Sequence, residues 1–357
     1  MNNATLSSFD SSQRIVWIDT AKGVCISLVV LSHVAIYLNT DYAFASLFRT
    51  FRMPLYYILS GLFFKPYDSW KTFFTKKSNN LLVPYIFFFL VTGVLLPIFM
   101  ARCFGLQMLY YNGYNFEAVK YIFTEHAISN PSIWFLVSLF EVNALFYFLH
   151  QWTQRVTKSY WLIVVVACMV GAVGLLLYEG RINLPYYLDT SLTMLPFFLF
   201  GWWLKKKSHW LSKPIGKWGN IVSWLAVSIA GLLLIYFCDR GCASFRLNSF
   251  GDWKGVLQLY PFGILGTMAV LILSKLSGRV PILSTIGRYS IIVLCIHLIV
   301  IQLLGFGWKL VAPLESCPLW LFFILTLLAN WVLIPIIVRF MPHVTAQKNL
   351  IPLPILH

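Results

Sequence analysis

The chain has 357 residues, of which 59% are hydrophobic, 17% aromatic and only 11% charged. Soluble domains carry about 25% charged residues, so a soluble globule of this composition would leave much apolar surface uncovered. The formal net charge of +15 would suit nucleic-acid binding in a soluble protein, but here the basic residues form short clusters between long apolar runs. That arrangement is typical of topology signals and contacts with anionic lipids, and it argues against a nucleic-acid partner. The composition therefore predicts an all-α, polytopic integral membrane protein.

Ten apolar runs are long enough to be considered as membrane spans, since a bilayer core of about 30 Å needs about 20 helical residues. The second and eighth runs are the weakest, because they are short or interrupted by Arg, Gly and Pro. In chain order, the predicted spans are Lys22–Asn39, Ala43–Phe64, Leu81–Met100, Ser132–Trp152, Trp161–Tyr178, Leu188–Leu204, Ile221–Cys238, Leu257–Leu273, Ile282–Leu304 and Leu319–Phe340.

The distribution of Lys and Arg predicts that both termini lie in the cytoplasm. Clusters such as Lys76-Lys77 and Lys205-Lys206-Lys207 fall in alternate connections, which the positive-inside rule assigns to the cytoplasmic side. The expected organisation is a cytoplasmic segment of residues 1–21, a transmembrane domain of residues 22–340 and a cytoplasmic tail of residues 341–357. The connections are too short for a separate enzyme domain, so any active site must be formed by the helices and their links.

The cysteines give no sign of a metal centre. Seven are present and none stands in a C-x-x-C pair, so no metal site is expected. Cys238 and Cys242 flank a connection and could form a disulfide if it lies outside the cytoplasm. The alternative is that they are small hydrophobic residues of a membrane core.

The first span carries the clearest candidate for chemistry, because ionisable side chains inside a membrane are costly and usually functional. His33 follows Lys22 by eleven residues, or three helical turns plus about 20°, so both side chains share one helix face. The rise between them is about 16 Å, roughly half the hydrocarbon thickness. Lys22 would hold the phosphates of a large anionic donor at the cytoplasmic rim, while a neutral His33 near the midplane acts as general base.

Simpler interpretations of these residues stay open at this stage. His33 could form an interhelical hydrogen bond without a catalytic role, and Lys22 could extend to the lipid head groups. Asp19 precedes Lys22 by three residues and could orient it or cap the start of the helix.

Further polar residues lie inside or near other spans. Glu141 could fix the tautomer of a histidine or accept a proton, or it could pair with a basic residue of another helix. Arg49 and Arg52 could hold a sugar or phosphate acceptor or reach the outer head groups. Ser290 and His297 are seven residues apart and share a helix face, and His297 could belong to the site or to the core.

Several of these segments resemble motifs of the membrane acyltransferase-3 family. Residues Trp17–Gly23 running to His33 resemble the family's first helix, and Phe51-Arg52-Met53-Pro54-Leu55-Tyr56-Tyr57-Ile58-Leu59-Ser60-Gly61 resembles its second-helix motif F-x-M-P-L-F-F-x-x-S-G. Later elements of the family are matched, in its order, by Leu81–Tyr85, Ile133–Leu136 and Gly287–Ser290 through His297. The most similar variant is the sugar O-acetylase branch, which includes fucose 4-O-acetylase-like proteins.

The resemblance implies transfer of an acyl group, usually acetyl from acetyl-CoA, to a hydroxyl of a cell-surface glycan or its lipid-linked precursor. It implies ten core helices in the plasma membrane, an essential base at His33 and no permanently bound cofactor. The acyl-CoA donor, the glycan or lipid-linked sugar acceptor and membrane lipids are the expected partners. We assign Asp19 and Arg288 to donor binding together with Lys22, and the expected substrate-binding residues are Arg49, Arg52, Trp134, Glu141, Ser290 and His297.

Two departures from the family pattern affect these expectations. Many relatives carry His where this chain has Arg52, so the acceptor preference is expected to differ. The basic run before Pro84 is sparse, because Ser78-Asn79-Asn80 follows Lys76-Lys77, which weakens the expectation of donor contacts there. Two rival hypotheses stay open: a glycan or lipid transporter or flippase, which paired broken helices and an inverted repeat would favour, and a structural subunit of a polysaccharide synthesis complex.

Overall fold

The computed structural model describes residues 15–42, 44–67, 69–106, 108, 130–157, 160–205, 218–238, 245, 248–251 and 253–353. These residues confirm the predicted all-α fold. Their helices, numbered here in chain order, are α1 Val16–Leu38, α2 Ala45–Arg52, α3 Pro54–Leu62, α4 Trp70–Phe104, α5 Trp134–Val156, α6 Tyr160–Glu179, α7 Leu188–Lys205, α8 Trp218–Cys238, α9 Trp253–Ser277, α10 Pro281–Arg288, α11 Ser290–Lys309 and α12 Leu319–Phe340.

Eight helices among the described residues are long and apolar enough to cross a membrane: α1, α4, α5 with its preceding turn, α6, α8, α9, α11 and α12. They coincide with eight of the ten predicted spans, which confirms a polytopic membrane protein. The predicted span Ala43–Phe64 differs because it is divided at Met53 into α2 and α3. Helix α7 is also outside the eight, since Asp189 and its neighbouring hydroxyl residues make its first turns polar. The total of ten membrane spans and the cytoplasmic location of both termini stay predictions.

Two helix boundaries differ from the predicted ones: the start of α1, and the division between α10 and α11, where α10 packs against the start of α1. Helix α1 begins at Val16, before the predicted start at Lys22, so Asp19 and Lys22 lie within the helix. The predicted span Ile282–Leu304 is divided at Tyr289 into α10 and α11. A Cβ atom on Gly287 of α10 would collide with the backbone carbonyl of Asp19, so glycine is required for α10 to lie against this end of α1.

Helices α3 and α7 pack on each other through a pair of glycines, one on each helix. A Cβ atom on Gly201 would collide with the carbonyl oxygen of Ile58, and one on Gly61 would collide with that of Phe198. Backbones approach this closely only where both helices present glycine, as in tightly packed membrane helices. Helices α3 and α7, which are too short or too polar to count among the eight long apolar helices, are therefore held inside the bundle by each other.

Helix α4 contains two π-helical segments, Ser78–Leu82 and Phe89–Leu95, and a buried polar residue lies in each. In the first segment, the Asn79 side chain accepts hydrogen bonds from the backbone N–H groups of Leu350 and Ile351 and donates one to the Ile351 carbonyl, each 2.8 Å long. In the second segment, the Thr92 hydroxyl accepts a hydrogen bond from Asn130. The widened turns thus connect α4 to the C-terminal segment and to the turn before α5.

The cysteine pairing considered above lies partly beyond the described residues. Cys238 is exposed at the end of α8, and Cys242 lies outside the described residues. The Cys238–Cys242 disulfide therefore stays an open prediction.

Candidate active site

One face of α1 lines two cavities inside the bundle. Lys22, Ile26 and Val29 line a cavity of about 240 Å³, which we call the lysine cavity. Val29, Ser32 and His33 line a second cavity of about 610 Å³, which we call the histidine cavity. Residues spaced by three, four or seven positions fall on one side of a helix, so this stripe follows directly from the sequence. The ammonium group and the imidazole therefore face neighbouring cavities along one helix.

Helix α11 faces α1 with a similar stripe. Ser290 lines the lysine cavity, Leu294 lines both cavities and His297 lies one turn further along. Three side chains, Val29, Met53 and Leu294, are common to both cavity walls, and we call them the constriction. The two cavities thus adjoin each other at three apolar residues.

Two histidines meet at one serine beside the histidine cavity. The Ser132 hydroxyl lies 3.2 Å from Nε2 of His33 and 3.4 Å from Nε2 of His297, and the two imidazole centroids are 5.2 Å apart. Nδ1 of His297 lies 2.8 Å from the Val293 carbonyl, which can only accept, so Nδ1 carries the proton and Nε2 of His297 is an acceptor. The serine hydroxyl can donate to one ring and accept from the other.

A buried asparagine holds Ser132 in this place. Ser132 lies in the turn Pro131–Ile133 that precedes α5. The side chain of Asn130 donates hydrogen bonds to the Thr92 hydroxyl, at 2.8 Å, and to the Cys295 carbonyl, at 2.6 Å. Because Cys295 precedes His297 by two residues on α11, these bonds connect the turn to the helix that carries the second histidine.

An arginine occupies the wall of the histidine cavity beside His33. Arg52 is half-buried, and its Nη1 group donates hydrogen bonds to the Ser32 hydroxyl and to the Leu28 carbonyl of α1. The Ser32 hydroxyl also lies 2.8 Å from the Tyr42 hydroxyl. The same cavity is lined by Arg49, which is exposed, and by aromatic and polar groups including Asp41, Tyr42, Trp134 and Phe245.

The lysine cavity combines two cations with mostly apolar walls. Lys22 from α1 and Lys77 from α4 both line it, and both are half-buried. The Tyr56 hydroxyl, which also lines this cavity, donates a 2.9 Å hydrogen bond to the Lys22 carbonyl and so connects α3 to α1. The Ser60 hydroxyl forms a hydrogen bond with the Asn143 side chain at the cavity wall.

Three of the expected site residues lie elsewhere. Asp19 is buried and lines neither cavity. Arg288 is exposed, with its guanidinium 5.1 Å from the centre of the Tyr289 ring. The Glu141 carboxylate accepts a 2.7 Å hydrogen bond from Ser191 on α7, and it also lines neither cavity. The tautomer of His297 is set by a backbone carbonyl, a role for which a carboxylate was considered.

Sequence reasoning missed two residues that the structure brings to these cavities. Lys77 was considered as part of a topology signal, and the sparse basic run before Pro84 weakened the expectation of donor contacts there, yet Lys77 lines the same cavity as Lys22. Ser132 carries no sequence signal of its own, except that it precedes the Trp134-Phe135-Leu136 element by two residues. Its position between the histidines depends on contacts among three distant segments.

A comparison with known families identifies the domain that contains these helices. The profile of a family described as an acyltransferase domain matches residues 15–339. The chain belongs to acyltransferase family 3. The family match extends from the start of α1 almost to the end of α12, so it includes both cavities, and the protein is a membrane acyltransferase. No match was found among curated proteins or among solved structures.

Proposed function

We propose that this acyltransferase moves an acetyl group from acetyl-CoA to a hydroxyl of a cell-surface glycan or its lipid-linked precursor, with His33 as general base. The observation that carries the proposal is the pair of cavities that meet at the constriction beside His33. One cavity offers cations and a narrow apolar lining, and the other offers more room, polar groups and aromatic rings. This difference suits two substrates of different chemistry.

The lysine cavity suits the donor. Acyl-CoA carries phosphates at one end and a slender arm that ends in a thioester. Lys22 and Lys77 provide ammonium groups for the phosphates, and the apolar walls beyond them accommodate the arm. On the predicted orientation this cavity lies towards the cytoplasm, where acyl-CoA is made, and the thioester would reach His33 through the constriction.

The histidine cavity suits a sugar acceptor. Its volume of about 610 Å³ lies within the range typical of small-molecule sites. Aromatic faces such as Trp134 and Tyr42 pack against the apolar faces of sugar rings, while Ser32 and Asn39 provide hydrogen-bonding groups. On the predicted orientation this cavity lies towards the outer half of the membrane, so acetyl from the cytoplasm would reach a glycan on the other side.

The proposed reaction needs one base and no external co-reactant. A ring nitrogen of His33 removes the proton of the acceptor hydroxyl as the oxygen attacks the thioester carbonyl. The tetrahedral intermediate then collapses, the carbon–sulfur bond breaks, and the CoA thiolate leaves and takes the proton from the imidazolium. An ester and free CoA thiol are the products.

The test uses purified protein in detergent, radiolabelled acetyl-CoA and glycans extracted from cells that lack the gene. General-base catalysis typically contributes about 10²- to 10⁴-fold, so His33→Ala should lower the rate of acetyl transfer by at least about a hundredfold. His343→Ala is the matched control, because His343 is exposed in the C-terminal segment, away from both cavities. Near-normal transfer by a folded His33→Ala protein would contradict the proposal.

The donor assignment has its own test. Lys22→Ala should raise the KM for acetyl-CoA more than it lowers kcat, whereas Lys71→Ala should change neither, because Lys71 is exposed outside the lysine cavity. An unchanged KM would remove Lys22 from donor binding. If no labelled ester forms but labelled glycan or lipid crosses the membrane of proteoliposomes, the transporter hypothesis is favoured instead.

A further inference from the structure

The guanidinium of Arg52 lies at the wall of the histidine cavity, where its hydrogen bonds to described residues all go to uncharged groups. Its Nη1 group donates to the Ser32 hydroxyl and the Leu28 carbonyl, and both acceptors are uncharged. Among the residues that the structure describes, no Asp or Glu lies within ion-pair distance of Arg52. Guanidinium presents five N–H donors in a planar fork, so Nη1 uses only part of that capacity and the donors at Nε and Nη2 stay available.

A half-buried cation in this position calls for a counter-charge. Removing a charged group from water is costly unless it is paired, and the cost falls when a ligand supplies the opposite charge. Among the described residues that line this cavity, Asp41 is the one carboxylate, and it forms no hydrogen bond with Arg52. The positive charge of Arg52 therefore faces the space in which the acceptor would bind.

The arginine is also close to the proposed base along the helix. Arg52 and His33 line the same cavity, and Arg52 is bonded to Ser32, the residue before His33 on α1, so one ligand in this cavity can contact both side chains. An anion on Arg52 and a hydroxyl on His33 would therefore belong to the same sugar unit or to directly linked units.

We infer that the natural acceptor is an anionic sugar, whose carboxylate or phosphate binds to Arg52 while a hydroxyl of the same or the adjacent unit faces His33. The inference rests on the proposed acetyl transfer and names the class of its acceptor. Guanidinium pairs with carboxylate or phosphate through two parallel hydrogen bonds, which provides orientation as well as affinity. Arg52 is thus the residue that determines specificity for the charged acceptor.

The experiment neutralises the acceptor rather than guessing its identity. The glycan extract is divided into three portions: one is untreated, one is treated with carbodiimide and borohydride to convert carboxylates to alcohols, and one is treated with phosphatase. Each portion is then offered to the purified protein with radiolabelled acetyl-CoA. One of the two treatments should lower kcat/KM for the acceptor by roughly ten- to a hundredfold, since hydrogen bonds to charged groups discriminate by that factor. The effective treatment identifies the anion as carboxylate or phosphate.

Variants then connect the effect to Arg52. Arg52→Gln should lower kcat/KM for the untreated extract and remove the difference between treated and untreated portions. Arg52→Lys should keep part of the difference, because it retains the charge without the planar fork. Arg339→Gln changes an exposed arginine outside both cavities. This variant should show the same loss of kcat/KM as the wild type when the negative charge of the glycan is removed.

The outcomes separate this inference from the proposed function. Equal acetylation of all three portions by the wild type would overturn the anionic acceptor while leaving acetyl transfer in place, and it requires no variant to fold. A preference for the untreated portion that survives in Arg52→Gln would overturn the role of Arg52. Absence of labelled ester from the untreated portion would overturn acetyl transfer and this inference together.

Discussion

Replacement of Ser132 by Ala would remove the hydroxyl that joins the two imidazoles. The hydroxyl lies within hydrogen-bonding distance of Nε2 of both His33 and His297, at 3.2 and 3.4 Å. Since Nε2 of His297 is an acceptor, the hydroxyl donates to it and accepts from Nε2 of His33, so one serine holds both rings. The alanine variant loses both bonds, so the His33 ring is no longer held in one orientation.

The expected magnitude follows from those two bonds. A neutral hydrogen bond contributes about 1 kcal/mol net, so two contribute about 2 kcal/mol, which corresponds to a roughly 30-fold lower kcat. The KM for acetyl-CoA should stay near the wild-type value, because Ser132 does not line the lysine cavity. Steady-state release of the CoA thiol at varied acetyl-CoA, in detergent with an excess of glycan acceptor, measures both constants.

Two further variants separate positioning of the base from loss of packing. Ser132→Thr retains a hydroxyl and should keep most of the activity. Ser228→Ala removes a buried hydroxyl that donates only to the Trp224 carbonyl of its own helix, and kcat should be unchanged. Wild-type kcat in Ser132→Ala, or an equal loss in the threonine variant, would refute the reasoning.

Other parts of the fold are open to similar tests. Leu294→Trp fills the constriction and should abolish acetyl transfer. CoA should still raise the melting temperature of this variant. Normal acetyl transfer by the variant would show that the two substrates meet elsewhere. Gly201→Leu should lower the melting temperature, because overpacking costs about 1–3 kcal/mol or more, whereas Gly307→Leu should be tolerated because no atom lies within 4 Å of its Cβ position. Asn79→Ala removes the acceptor for the Leu350 amide, so hydrogen exchange of residues 350 and 351 should accelerate, and unchanged protection would contradict the contact.

Local patterns predicted the parts of the fold that depend on single helices. The stripe from Lys22 to His33 follows from helical periodicity, and α1 presents both side chains to cavities. Long apolar runs likewise identified eight of the spans. Helix α7 and the α2–α3 pair are harder to assign, since polar residues and a break at Met53 are tolerated there only through packing against other helices.

The composition of the site was less predictable than the position of its first helix. Ser132 reaches the histidines only because Asn130 binds to residues on α4 and α11, which are far apart in the sequence. Glu141 shows the reverse case, because a carboxylate inside a span was a reasonable candidate but forms its hydrogen bond with α7. Which polar residues share a cavity is decided by tertiary contacts, and periodicity within one helix carries no information about them.

The residues common to the walls of the two cavities are all apolar. Val29, Met53 and Leu294 form this constriction, and rotamer changes of such groups are far faster than movements of whole helices. A rotamer change of the unbranched Met53 side chain would be enough to admit a slender acyl chain. Charged groups are costly to move past apolar residues of this kind, so the constriction would oppose the passage of hydrated ions from one cavity to the other.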